Sequence, residues 1–123
     1  MTRIKQRPDD KKILQVVKNN KILLENTRVP NIYKSKVRRS KKRTFIYPNG
    51  ESFRVVYRFD NHYNFLDKFD ILYSTSANMT NQSFDFDFAN SCSDVVVYSK
   101  EQFEQKNSSK IFKITNKKIQ KIR

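Results

Sequence analysis

The single glycine of this 123-residue chain, Gly50, limits the fold more than any other residue. It follows Asn49 between two β-rich runs, Thr44-Phe45-Ile46-Tyr47 and Ser52-Phe53-Arg54-Val55-Val56-Tyr57-Arg58. Asn-Gly supplies the positive φ that a tight hairpin turn needs. The spacing predicts an antiparallel pair joined through Pro48–Glu51. Arg54 then falls inside an apolar strand, where a cation needs a partner or a site to line.

Strand and helix signals alternate around this hairpin. Ile13–Val17 reads as a core strand, broken by Asn19-Asn20, with a short helix over Lys21–Glu25. After Pro30, the residues Asn31–Arg39 suit a helix with Ile32, Tyr33 and Val37 on one face. Asp60 or Asn61 can cap a helix that runs to about Lys68, with Tyr63 and Leu66 on one face. Ile71-Leu72-Tyr73 reads as a short buried strand. Phe84–Ala89 alternates like a strand but also suits a short helix, which is the preferred reading. Asp94–Tyr98 and Ser109–Ile114 read as strands. Residues 115–123 form a basic tail or, from Ile119, an edge strand. The expectation is one α/β domain over residues 1–123, a twisted mixed sheet with short helices.

Ten Phe and six Tyr argue for a packed core rather than disorder. A lone cysteine, Cys92, allows no internal disulfide, and no apolar run is long enough to span a membrane. A reducing, cytoplasmic setting with no membrane partner is expected. One His and one Cys exclude a His/Cys zinc cluster, and neither a P-loop nor a GxGxxG stretch occurs. Asp85 and Asp87 alternate with Phe and are read as facing solvent.

The net charge of +14 is unevenly spread. Residues 1–50 carry +12, residues 59–99 carry −5, and residues 100–123 carry +6. Lys34, Lys36, Arg38, Arg39, Lys41, Lys42 and Arg43 form a basic arc with no acid among them. Such an arc is a solvated helix face and loop, or a contact for the backbone of RNA or a nucleotide. Lys117–Arg123 adds a second basic stretch.

Two short stretches carry most of the chemistry. Lys5 and Arg7 are two apart, so an extended backbone aims both heads to one side as a clamp for phosphate or carboxylate. Ser74-Thr75-Ser76-Ala77-Asn78 follows the Ile71–Tyr73 strand and places hydroxyls and a carboxamide at a strand end. In open α/β sheets ligands gather at strand ends, and small side chains let backbone N–H groups approach them. A plain Ser/Asn-rich turn is the alternative.

Taken together, Lys5-Gln6-Arg7-Pro8 and Ser74-Thr75-Ser76-Ala77-Asn78 resemble the K-x-R and S-x-N motifs of the YrdC-like family of threonylcarbamoyl-AMP synthases. Thr44–Pro48 resembles the family's P-G-P-x-T strand, Arg54-Val55 its V-R-[VI] strand, and Asn107-Ser108-Ser109-Lys110-Ile111 its P-S-T-I strand entry. The resemblance spans nearly the whole chain. Three departures stand out. No counterpart of the family's P-T-[DE]-T-x-Y-G motif occurs, Ser40-Lys41-Lys42 replaces P-G-P, and Met79-Thr80-Asn81 replaces a hydrophobic-Ser-Gly ending. The expected fold is thus a YrdC-like domain lacking its N-terminal segment.

The resemblance implies a nucleotidyltransferase that condenses L-threonine, bicarbonate and ATP, with Mg²⁺, to threonylcarbamoyl-AMP and pyrophosphate for tRNA modification. It implies that Lys5, Arg7, Ser76 and Asn78 are catalytic, and that Ser74, Thr75, Arg54, Thr44 and Ser109 bind ATP or substrate. tRNA or double-stranded RNA and tRNA-modification proteins would be partners. A non-catalytic basic RNA-binding domain on the same fold is the alternative.

Overall fold

A computed structural model describes residues 12–100 and 106–123. The chain divides into two compact units. The larger comprises residues 12–74 and 109–123, and the smaller lies within the remainder, described over 75–100 and 106–108.

The larger unit is built on a six-stranded mixed sheet. Its strands are β1 (Leu14–Val17), β2 (Arg43–Ile46), β3 (Ser52–Val55), β4 (Ile71–Ser74), β5 (Lys110–Ile114) and β6 (Ile119–Lys121). They lie in the order β4-β1-β3-β2-β5-β6. β1 with β3 and β2 with β5 run parallel, and the other neighbours are antiparallel. Between β1 and β2 come α1 (Asn20–Asn26), a 3-10 turn (Asn31–Tyr33) and α2 (Lys34–Arg39), and α3 (Asn61–Leu66) joins β3 to β4.

The hairpin forms as the glycine predicts. Gly50 has φ +80° and donates its N–H to the Tyr47 carbonyl at 2.8 Å, while Tyr47 N–H donates to Glu51 at 2.8 Å. That turn fixes Phe45 opposite Phe53. Because side chains alternate across a strand, this register decides which residues share a face. Val17, Phe45, Phe53 and Ile114 go to one face and form the main core with Leu23 of α1, Val29, Val37 of α2 and Tyr47. Its rings pack at tilted angles, with Phe45 5.7 Å from Phe112 and Tyr47 6.0 Å from Phe53. Each such buried side chain contributes about 1.5–3 kcal/mol. Burial also raises the Tyr47 hydroxyl pKa.

The opposite face carries a smaller core of Val16, Val56 and Leu66, with Tyr63 and Leu72 against it. This is the footprint of α3, which Asp60 caps by accepting from His62 N–H. Lys18 pairs with Asp70 at 2.9 Å and Asp67 at 3.7 Å, tying the end of β1 to the α3–β4 connection.

Several expectations are corrected. Ile71–Tyr73 is an edge strand rather than a buried one: β4 pairs only with β1, and Tyr73 is 67% exposed. Ile32 does not share the buried face of Val37, because the first turn winds as a 3-10 helix, whose tighter repeat turns Ile32 to solvent. The β3 strand ends at Val55, and Tyr57 and Arg58 turn out of the sheet, closed by Asp60 N–H on the Tyr57 carbonyl. The edge strand read from Ile119 is present, as β6 over Ile119–Lys121.

In the smaller unit α4 spans Phe86–Ser91, the helix preferred for that stretch, capped by Asp85, which accepts from Phe88 N–H at 3.0 Å. Asp94–Tyr98 forms no strand. Val95-Val96-Val97 has the right residues, but β-propensity is realised only against a partner, and Val95 and Val97 are exposed. Among the described residues no helix is long and apolar enough to cross a membrane.

Candidate anion-binding site

The centre of the α3-covered face holds a charge. Val16 stands beside Arg54 across β1 and β3, and Thr44 stands beside Ile111 across β2 and β5. Continuing the β2–β3 register by one residue sets Thr44 opposite Arg54. A single row therefore crosses the sheet as Leu72, Val16, Arg54, Thr44 and Ile111. Apolar residues flank an Arg–Thr pair.

Thr44 is only 3% exposed, and its Oγ1 lies 3.2 Å from Ser109 Oγ, immediately before β5. Arg54 is half-buried. Desolvation lowers its pKa, and the negative charge of Asp60 pulls it part of the way back. Among the described residues its guanidinium has no ion pair and no hydrogen-bond partner. A desolvated cation with no counter-charge in contact is costly, and Asp60 offsets that cost only in part. The planar fork of donors on Arg suits phosphate or carboxylate oxygens, which would supply that counter-charge. The arrangement is a cation with a hydroxyl, Thr44, on the neighbouring strand and a second, Ser109, in contact with the first, a set suited to hold an oxyanion.

Other residues singled out in the sequence fall elsewhere. Ser74 lies one row from Arg54 on the same face, beside Leu14. Since β4 is antiparallel to β1 and β3, Ser74 marks the sheet end where β2 and β5 finish rather than the carboxyl ends of β1 and β3. Thr75, Ser76 and Asn78 belong to the smaller unit. There Asn78 Nδ2 donates to the Gln82 carbonyl, Gln82 N–H donates to Met79 at 3.1 Å, and Asn81 takes a left-handed φ of +65°. The Ser-x-Asn stretch thus leads into a closed turn. In the same unit Ala77, Phe84, Phe86, Ala89 and Val96 line a small apolar cavity of about 200 Å³. Lys5 and Arg7 lie outside the described residues. Among the described residues no cluster of His, Cys, Asp or Glu could hold a metal ion.

The basic arc divides in two. Lys34, Lys36, Arg38 and Arg39 are exposed on α2, the last three in its final turn, where cations favour the helix dipole. Lys41 and Lys42 are exposed in the loop that follows, and Lys42 is held at φ +53°. Arg43 is a strand residue, half-buried with its guanidinium 5.5 Å over the Phe112 ring.

Sequence reasoning missed the turn after β3. Tyr57, Arg58 and Phe59 are all exposed there, and Lys41 Nζ sits 4.3 Å over the Tyr57 ring. The signal was available: an aromatic-cation-aromatic run directly before the capping Asp60.

Comparison with protein-family models, with curated proteins and with solved structures finds no match for this chain.

Proposed function

We propose that the chain is an L-threonylcarbamoyladenylate synthase-like protein, condensing L-threonine, bicarbonate and ATP to threonylcarbamoyl-AMP, pyrophosphate and water. The observation that carries this reading is Arg54, desolvated and without an ion pair or hydrogen bond among the described residues, in one row with Thr44, whose hydroxyl meets that of Ser109. It supports an oxyanion ligand, and it falls on three residues of the motif set that the chain shares with the YrdC-like family. The Lys5/Arg7 and Ser76/Asn78 motifs complete that set.

The chemistry forms a P–O bond at the α-phosphate and breaks the bond to the β-phosphate, releasing pyrophosphate. No strong general base is needed. Positioning and neutralisation of charge do most of the work. In this reading Arg54 holds phosphate or carboxylate oxygens, and Thr44 and Ser109 orient them. The motif resemblance alone assigns Ser76 and Asn78 a role with the nucleotide phosphates. Mg²⁺ would enter with the triphosphate and help neutralise it.

With L-threonine, bicarbonate and Mg-ATP, pyrophosphate is expected to form, and Ser76→Ala to suppress it. Arg54→Met should lower the rate on the order of 10²–10³-fold, the usual effect of removing one charge-stabilising donor. Well-folded protein that releases no threonine-dependent pyrophosphate would overturn the reading.

A second reading rests on a separate observation: α2 and its following loop expose six of the seven arc cations. That favours RNA binding through phosphates, and tRNA affinity should then fall steeply with salt. A flat salt response would remove it.

A further inference from the structure

We infer that Tyr57 and Phe59 form a stacking platform for unpaired nucleobases of single-stranded RNA, set beside the phosphate-binding arc. The inference rests on the RNA reading of that arc and goes beyond it in naming what is recognised.

The two rings stand edge to face, 5.2 Å between centroids, and are 41% and 69% exposed. Neither belongs to the buried core. Each carries a cation on one face, Lys41 Nζ at 4.3 Å over Tyr57 and the Arg58 guanidinium at 4.7 Å over Phe59. Lys41 is itself a member of the arc, so this contact joins the basic loop to the aromatic turn, both within the larger unit.

Two pieces of local geometry hold this junction. Lys42 takes the left-handed φ of +53°, a conformation that L residues adopt at a cost, and so turns the loop sharply after Lys41. On the other side, the Asp60 N–H to Tyr57 carbonyl bond closes the turn that carries both rings.

Exposed ring faces beside a run of cations are the combination by which proteins hold single strands: cations follow the phosphates and rings stack on bases. Cations held against ring faces add a cation–π contribution when a base stacks there. A duplex hides its base faces and would use only the cations. An acidic protein would likewise satisfy the cations and leave the rings unused.

Phe59→Trp supplies the probe, since the chain contains no tryptophan. Titration with a single-stranded RNA of about ten nucleotides, a typical site length, should quench its fluorescence as bases stack. Anisotropy of the same RNA should show the paired Tyr57→Leu and Phe59→Leu changes weakening binding by roughly 10- to 100-fold, with the salt slope unchanged. The paired Lys36→Ala and Arg39→Ala changes should instead lower the slope by about 1.4. The duplex form should lose little from the ring changes, and circular dichroism confirms folding of every variant. The platform is overturned if the leucine variant binds single-stranded RNA like wild type while the arc variant still loses slope, or if duplex or single-stranded DNA binds more tightly. If wild type binds no RNA at all, the arc reading falls too.

Discussion

The two faces of the sheet are made by the same strands and behave as different materials. One is closed by α1 and α2 over Val17, Phe45, Phe53 and Ile114, all nearly inaccessible. On the other, among the described residues, Leu66 of α3 packs on Val16 and Val56, and the same face carries Arg54, Thr44 and Ser109. Alternation along β2 and β3 divides them residue by residue: Phe45 and Phe53 to one side, Thr44 and Arg54 to the other. The closed face supplies rigidity, and the second holds a charge that packing alone does not account for.

The comparison breaks most severely through the closed face. Phe53→Ala should cost about 3–5 kcal/mol, since the ring is fully buried against Tyr47 and its neighbours. Chemical denaturation measures this, and a loss under 1 kcal/mol would mean the core is not where the sheet places it. Gly50→Ala acts on the division itself. An added Cβ meets only Lys12 Nζ at 3.7 Å, so the cost is conformational, about 1–2 kcal/mol from φ +80°. A variant as stable as wild type would show that the turn does not hold the register.

Thr44→Val removes one hydroxyl from the polar face and should cost about 1 kcal/mol through the lost Ser109 contact. Its effect on nucleotide binding should exceed its effect on stability. Thr27→Val sits at the other extreme. Its Oγ1 is buried without a hydrogen-bond partner among the described residues, so the change should be neutral or stabilising by up to about 1 kcal/mol. Thermal melting distinguishes these outcomes, and a clear destabilisation by Thr27→Val would reveal a partner for the hydroxyl.

Local signals were readable in the sequence. Asn49-Gly50 gave the hairpin, Asp60 the cap of α3, and the one charged residue of the β3 strand picked out Arg54. Pairing at a distance was not. Nothing local says that β4 takes an edge position, or that Val95–Val97 finds no partner strand. The turn carrying Tyr57 and Phe59 was hidden because strand-forming residues continue past the last ladder bond, Val56 N–H to Val17. Thr44, Arg54 and Ser109 come together in the fold. Ser76 and Asn78 fall in the smaller unit, and Lys5 and Arg7 lie outside the described residues.

The central claim is that Arg54 is kept for a ligand and not for the fold. Arg54→Met tests it when ATP affinity and unfolding free energy are measured on the same variant. Removing a desolvated, unpaired cation in favour of an apolar side chain of similar length should leave stability unchanged or raised by about 1 kcal/mol. Losing a charge-assisted contact should weaken ATP binding by about ten-fold or more. Loss of several kcal/mol of stability with ATP binding intact would contradict the account.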